Sequence, residues 1–123
     1  MDQSLRHSRP RLTVVVVNYD GWSDVLGLVE RLVQEPEFLS GACRIVVVDN
    51  ASPSPPPAPQ AESLRRAGVR FVQRPDNGGF AVGVNAGWRE APAPWLLLLN
   101  PDVVVEPGTL GRILARVDAL ESR

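Results

Sequence analysis

The sequence contains no lysine, one cysteine and one histidine among its 123 residues. The absence of lysine excludes a phosphate-binding loop with its lysine, a Schiff-base lysine and the lysine of receiver domains. A single cysteine, Cys43, cannot form an intrachain disulfide and indicates a reducing compartment. A single histidine, His7, lies in a polar N-terminal segment, which argues against a zinc site or a His-dependent triad.

Long apolar runs are absent as well. No stretch approaches the ~20 apolar residues that span a bilayer, and the first run, residues 12–17, is too short for a signal peptide. The formal net charge of −1 gives no reason to expect nucleic acid or an anionic membrane surface as a partner. The sequence therefore predicts a cytoplasmic protein of one domain, with residues 1–10 as a disordered tail.

Four short, continuously apolar or β-branched runs are present, which is typical of strands covered on both faces of a parallel sheet. Helical patterns fall between and after them, with Ser23 as the predicted N-cap of the first helix and Gly68 as the predicted C-cap of the second. The alternation predicts an α/β fold with a mostly parallel sheet and helices on both faces. The predicted strands are 12–17, 44–49, 69–73 and 95–99, and the predicted helices are 23–34, 60–67, about 80–90 and 110–120.

Two further segments have a distinct composition. Residues 51–60, "ASPSPPPAPQ", contain too much proline for a helix or strand and are predicted to form an extended surface loop. Residues 103–105 are three valines and are predicted to be strand-like.

Each predicted strand is followed by a compact polar group: "NYD", "DNAS", "RPDNGG" and "NPD" in chain order. Ligands of open parallel sheets bind outside the carboxyl ends of the strands. Polar loops that merely cap strands would explain any one of these groups. Four of them at one edge favour a shared binding crevice.

Glycines mark the segment "DNGGFAVGVNAG". Gly79, Gly83 and Gly87 recur every fourth residue and share one helical face, where each interior glycine costs about 0.5–1 kcal/mol relative to alanine. Either a ligand or a sheet strand approaches this face closely. Gly78 and Gly79 precede the helix, where free backbone N–H groups and the helix dipole favour an anion such as phosphate.

The "NPD" group ends the most apolar strand in a stiff corner, because proline cannot donate to a sheet ladder and restricts the residue before it. Asn100 and Asp102 are therefore expected at the sheet's edge. A divalent cation would be a suitable partner for the carboxylate, since Mg²⁺ binds one or two carboxylates together with substrate phosphates. A simple turn-forming aspartate is the alternative.

Four motifs, in this order, carry a resemblance: "VVVVNYDGWSDV", "IVVVDNASPSP", "NGGFAVGVNAG" and "LLLLNPDVVVEPGTL". They resemble the N-terminal, donor-binding half of family 2 glycosyltransferases with the GT-A fold, a Rossmann-like nucleotide-sugar-binding unit. The rhamnosyltransferase-like branch is most similar. The resemblance spans roughly residues 11–120.

The resemblance implies transfer of a sugar from a nucleotide-diphospho-sugar donor, generally with inversion, to an acceptor hydroxyl on a cell-surface polysaccharide, similar glycan or lipid-linked acceptor. It implies that Asp49 hydrogen-bonds the base and that Asp102, at the DxD position, binds Mg²⁺ or Mn²⁺ bridging the diphosphate. It leaves open peripheral membrane association of the full protein. The implied donor-binding residues are Asn18, Tyr19, Asp20, Asp49, Asn50, Asn77, Gly78, Gly79, Phe80, Asn85 and Asn100.

The sequence departs from the family pattern in two ways. Asn100 replaces the first acid of the DxD position, which leaves one carboxylate. The chain also stops after the fourth predicted helix, so residues 11–123 would form a donor-binding domain truncated before the acceptor-binding half. That half supplies the base that deprotonates the acceptor, so no catalytic residue is assigned here and the chain alone need not be active.

Two alternatives remain. The first is a non-catalytic nucleotide-binding or interaction module of the same fold. The second is an unrelated doubly wound domain, which is disfavoured by the missing lysine and by "NYDGWS" in place of a GxGxxG motif after the first strand.

Overall fold

The computed structural model describes residues 9–123, so most of the predicted tail, including His7, lies outside the described residues. Strands and helices alternate along the chain. The strands are β1 Leu12–Asn18, β2 Cys43–Asp49, β3 Arg70–Gln73 and β4 Trp95–Leu99, and the helices are α1 Trp22–Leu32, α2 Pro36–Leu39, α3 Ala58–Ala67, α4 Phe80–Glu90 and α5 Thr109–Glu121.

The four strands form one parallel sheet in the order β3-β2-β1-β4. The register places Val15 of β1 opposite Val46 of β2 and Leu98 of β4. Because all strands run the same way, their carboxyl ends meet at one edge of the sheet. The predicted α/β class with a parallel sheet is confirmed.

Successive side chains of a strand point to opposite faces of the sheet, so alternate residues of the central strands belong to two different hydrophobic clusters. On one face, Val14, Val16 and Ile45 pack in a large cluster with side chains from α1, α2, α3 and α5. On the other face, Val15 and Val46 belong to a smaller cluster beneath α4. Helices therefore cover both faces, but most of the core lies on one of them.

The glycine face of α4 packs directly on the sheet. A Cβ at Gly83 would lie 2.9 Å from Val17 Cγ1, and a Cβ at Gly87 would lie 2.7 Å from Val15 Cγ1. Close approach of a strand therefore accounts for both glycines, and the ligand alternative is unnecessary for them. Gly79 differs, because it precedes α4 with a φ of 96°.

The predicted strand at 103–105 does not form. No described strand pairs with these valines, and residues 103–106 are irregular. The segment instead runs beside α1, where Val103 and Val104 line a cleft with Gly27 and Leu28. A β-branched run favours extended backbone but needs a neighbouring ladder to become a strand.

Helix starts were predicted less accurately than helix positions. The N-cap of α1 is Gly21 rather than Ser23, with Val25 N donating to Gly21 O at 3.1 Å. The helix α3 begins at Ala58, inside the proline-rich loop, since a proline in the first turn needs no N–H donor. Gly68, with φ of 111°, ends α3 as predicted.

The short helix α2 has Pro36 in its first turn and was not predicted from the sequence. Of the helices within residues 9–123, none has the length and apolar character needed to cross a membrane.

Candidate functional site

The carboxyl edge of the sheet gathers polar side chains at neighbouring strand ends. Asn18 of β1 pairs in register with Asp49 of β2, which pairs in turn with Gln73 of β3. Asn18 is fully buried and Asp49 is 3% exposed. Buried polar groups must be satisfied by hydrogen bonds, so their partners define the architecture of this edge.

Asp49 accepts four hydrogen bonds. Its Oδ1 accepts from Asn18 Nδ2 at 3.0 Å and from Ser52 Oγ at 2.5 Å. Its Oδ2 accepts from Ser52 N at 3.0 Å and from Gln73 Nε2 at 2.9 Å. An ionised carboxylate offers about four lone-pair positions, so the side chain is saturated within the protein. Asp49 thereby joins the ends of β1, β2 and β3.

The turn after β1 is held to the same group. Asp20 N donates to Ser52 Oγ at 2.7 Å, and Gly21 N donates to Asn18 Oδ1 at 3.0 Å. Asp20 and Ala51 both have left-handed backbone, with φ of 57° and 60°. Such residues persist where surrounding contacts fix them, and they concentrate at ligand sites. Tyr19 and Asp20 remain exposed beside the buried group.

Asn50 connects β2 to the start of α4. Its backbone N donates to Asn18 O at 2.9 Å, and its Nδ2 donates to Gly79 O at 3.2 Å. Asn50 is 3% exposed, yet its Oδ1 has no partner among the described residues. Asn77 Oδ1 accepts from Gly79 N at 3.2 Å. The amino end of α4 is therefore fixed at the same edge as Asp49.

The remaining residues of the α4 segment are open to solvent. Gly78, Phe80 and Asn85 are all exposed, and Asn85 makes no hydrogen bond through its side chain with residues 9–123. Gly78 and Phe80 flank the start of α4, whereas Asn85 lies in the middle of α4, two residues from each of the sheet-facing Gly83 and Gly87 and therefore on the opposite side of the helix.

Asn100 and Asp102 reach the edge from β4. The last residue of β4, Leu99, pairs with Val16, so Asn100 follows beside the end of β1. Val103 N donates to Asn100 O at 3.1 Å, which closes a tight turn. No side-chain hydrogen bond joins either residue to the Asp49 group within the described part of the chain.

The exposed Asp102 side chain lines a cleft of about 260 Å³ against α1, together with Asp24. No hydrogen bond or ion pair with another described residue occupies its carboxylate. Among residues 9–123 no cluster of three or more His, Cys, Asp or Glu side chains could hold a metal ion by itself. The free carboxylate of Asp102 suits a cation that takes its other ligands from water and phosphate.

Two contributors to this edge were missed by sequence reasoning, Gln73 and Trp22, and Ser52 was predicted only as part of the polar group "DNAS". Gln73 is the last residue of β3, so the strand-end argument could have included it. Trp22 Nε1 donates to Ser54 O at 2.8 Å and so holds the proline-rich loop. A small cavity of about 70 Å³ lies beside Trp22 and Gln73. Its lining residues are Trp22, Asp49, Pro56, Arg65, Phe71, Val72 and Gln73.

The fold agrees with comparisons to known proteins. The profile of "Glycosyl transferase family 2" matches residues 13–122. The chain belongs to glycosyltransferase family 2.

One curated relative is the succinoglycan biosynthesis protein ExoO of Rhizobium meliloti (strain 1021), which is 32% identical over 111 residues. The match covers 89% of this chain and 30% of that protein. The chain therefore spans about a third of the length of this relative.

Two solved structures show the same fold. The mannosyltransferase PcManGT from Pyrobaculum calidifontis, in complex with GDP-Man and Mn²⁺, matches with a TM-score of 0.74 at 22% identity. Residues 1–349 of S. aureus TarS match with a TM-score of 0.73, also at 22% identity. Each match covers 89% of this chain and 32% of the other chain. The chain thus has the α/β fold of GT-A glycosyltransferases.

Proposed function

We propose that this chain is the donor-binding part of a glycosyltransferase that uses a nucleotide-diphospho-sugar and a divalent metal. The observation that carries the proposal is the polar edge: Asn18, Asp49 and Asn50 joined to the amino end of α4, in a family 2 chain. Solved neighbours are complexes with GDP-Man and Mn²⁺ and with UDP-GlcNAc, which supports this class of donor.

The edge divides into a nucleoside end and a diphosphate end. Asn18, Asp49 and Asn50 are buried together, and Tyr19 and Asp20 lie exposed beside them. Asp49 also lines the small cavity, and this end of the edge suits the nucleoside. The segment Asn77, Gly78, Gly79, Phe80 and Asn85 carries the amino end of α4, whose unpaired backbone N–H groups and dipole favour phosphate oxygens.

Asn100 and Asp102 would face the diphosphate from β4. Asp102 would hold Mg²⁺ or Mn²⁺, and Asn100 would add an amide beside it. A metal ion bound there would neutralise the negative charge that develops on the leaving diphosphate. No described residue is assigned as the base for the acceptor hydroxyl, so the catalytic residue stays unknown.

The finer details of the reaction rest on the sequence motifs. We infer an inverting transfer to an acceptor hydroxyl on a glycan or lipid-linked acceptor, in the rhamnosyltransferase-like branch. The relative ExoO is named for succinoglycan biosynthesis, which supports polysaccharide synthesis as the setting. Cytoplasmic localisation and peripheral membrane association of a longer protein stay predictions.

A second candidate is a nucleotide-binding module without catalysis. It would use the same polar edge and the same amino end of α4, and it would need no base for an acceptor hydroxyl. Both candidates require the same ligand site.

Chemical-shift mapping tests that shared requirement. The amide resonances of the chain would be followed while UDP or GDP is added with Mg²⁺, with inorganic phosphate as the control. We expect the largest nucleotide-dependent changes at residues 18–21, 49–52 and 77–80. Changes confined to α5, at the opposite edge of the sheet, or no change at all, would contradict the proposal.

A further inference from the structure

Residues 53–57 of the proline-rich loop have few groups with which to fix their own position. Four of these five residues are proline, so only Ser54 has a backbone N–H group. Within residues 9–123, the one side chain that donates to a carbonyl of this segment is Trp22, whose Nε1 lies 2.8 Å from Ser54 O. Because prolines restrict the backbone, the segment is stiff, and this hydrogen bond fixes its middle.

Trp22 is a rigidly held donor. It is the first residue of α1 and is only 9% exposed. Its ring packs in the larger hydrophobic cluster, with its centroid 6.4 Å from that of Phe71. A buried indole N–H needs an acceptor, and Ser54 O supplies it. The position of the loop is therefore set by the first turn of α1.

The loop begins with a residue that needs such support. Ala51 has left-handed backbone with φ of 60°, which costs conformational energy in a residue with a Cβ. Ser52 follows, and its N and Oγ both donate to the Asp49 carboxylate. These contacts and the hydrogen bond from Trp22 hold the chain on the C-terminal side of Ala51, so they stabilise its backbone conformation.

The loop borders one end of the proposed donor site. Pro56 lines the small cavity together with Trp22 and Asp49. Ser52 Oγ accepts from Asp20 N at 2.7 Å, so the loop also holds the exposed turn after β1. A displaced loop would open the cavity and release this turn. A loop that is already in place lowers the cost of ordering these segments when a ligand binds.

We propose that the hydrogen bond from Trp22 to Ser54 holds the proline-rich loop in the position that donor binding requires, and that Trp22 is a positioning residue for the donor. This inference rests on the proposed function and adds a residue that acts on binding through the loop. Binding and the hydrogen bond are then coupled, and each must strengthen the other by the same factor.

A pair of matched substitutions tests the effect on affinity. Trp22→Phe keeps an aromatic ring in the cluster and removes the indole N–H. Trp95→Phe is the control, because Trp95 Nε1 donates to Glu121 Oε2 at 2.8 Å at the opposite edge of the sheet. Calorimetry on the whole chain with UDP or GDP and Mn²⁺ should show about five-fold weaker binding in Trp22→Phe and unchanged binding in Trp95→Phe.

A second measurement needs no substitution and separates the hydrogen bond from the shape of the ring. Solvent exchange of the indole N–H groups of the wild type would be measured by NMR with and without saturating nucleotide. We expect exchange of the Trp22 N–H to slow by about the same five-fold factor, because the coupling is reciprocal, and exchange of the Trp95 N–H to stay unchanged.

Equal affinity in Trp22→Phe and the wild type would overturn the positioning role. An exchange rate of the Trp22 N–H that nucleotide leaves unchanged would overturn it too, even if Trp22→Phe binds more weakly or fails to fold, since only the size of the ring would then matter. Both results leave the donor-binding function intact. Failure of UDP and GDP to bind the wild type would overturn the proposed function as well.

Discussion

Gly87 of α4 shows how a single missing methyl group determines packing at the residue scale. Its backbone approaches β1 and β2 so closely that a Cβ would lie 2.7 Å from Val15 Cγ1 and 3.1 Å from Val48 Cγ2. Gly27 of α1 has the same helical setting, but nothing lies within 4 Å of the position of its Cβ. The two glycines therefore have opposite expected responses to the same substitution.

Gly87→Ala should lower the free energy of unfolding by about 1–3 kcal/mol, because the added carbon overpacks a fully buried valine. Gly27→Ala should raise it by about 0.5–1 kcal/mol through better helix propensity alone. Urea unfolding followed by far-UV circular dichroism measures both. Equal effects of the two substitutions would show that α4 does not pack on the sheet as described.

At the scale of elements, α5 begins with a cap that comes from a distant part of the sequence. Gly108, in left-handed backbone with φ of 88°, occupies the N-cap position and offers no side chain. Glu35, which precedes α2, accepts from Gly108 N at 2.8 Å through Oε2 and from Leu110 N at 3.0 Å through Oε1. Its negative charge also opposes the positive end of the helix dipole.

Glu35→Gln should lower the free energy of unfolding by about 1–3 kcal/mol, since a buried charged acceptor of two backbone donors is lost. Glu106→Gln is the control, because this glutamate lies beside the same helix start but is exposed, and its side chain makes no hydrogen bond with the described residues. Thermal unfolding of both variants gives the comparison. A loss of stability in Glu106→Gln as large as that in Glu35→Gln would contradict the cap.

Elements that depend on local patterns were predictable, and those that depend on distant contacts were not. The predicted α4 span, about 80–90, matches Phe80–Glu90, and Gly68 ends α3 as the sequence indicated. Residues 103–105 failed as a strand because no neighbouring strand is available to pair with them. The cap from Glu35 and the orientation of Gln73 depend on side chains that meet only after folding.

At the scale of the whole molecule, the proposed ligand-binding edge and the end of α5 lie at opposite edges of the sheet. At the opposite end of the sheet, Arg11 pairs with Asp118, and Trp95 Nε1 donates to Glu121 Oε2 at 2.8 Å. The polar groups singled out from the sequence all follow carboxyl ends of strands, so the parallel topology accounts for their common edge. Stability of the central strands can therefore be tested without touching the proposed ligand site.

Cys43, at the start of β2, provides such a test. Burial raises the pKa of its thiol from 9.0 to about 12, with the Glu37 carboxylate adding to the shift. Because the folded-state pKa is the higher one, the stabilisation is complete below pH 9 and is lost as the pH rises from 9 toward 12. Relative to Cys43→Val, the wild type should lose up to about 1.4 kcal/mol per pH unit in that interval. Denaturant unfolding at pH 8 and pH 10 measures the difference, and a constant difference would contradict the burial of the thiol.

The central claim is that this edge of the sheet binds a nucleoside diphosphate together with a divalent cation at Asp102. Calorimetric titration of UDP and GDP, with Mn²⁺ or with a chelator, tests it most directly in the wild type, in Asp102→Asn and in Asp24→Asn. Asp24 lines the same cleft, so its substitution is matched in charge and place. The account predicts about ten-fold tighter binding with Mn²⁺ in the wild type and in Asp24→Asn, and no such gain in Asp102→Asn. Equal Mn²⁺ dependence in all three proteins, or none in the wild type, would contradict it.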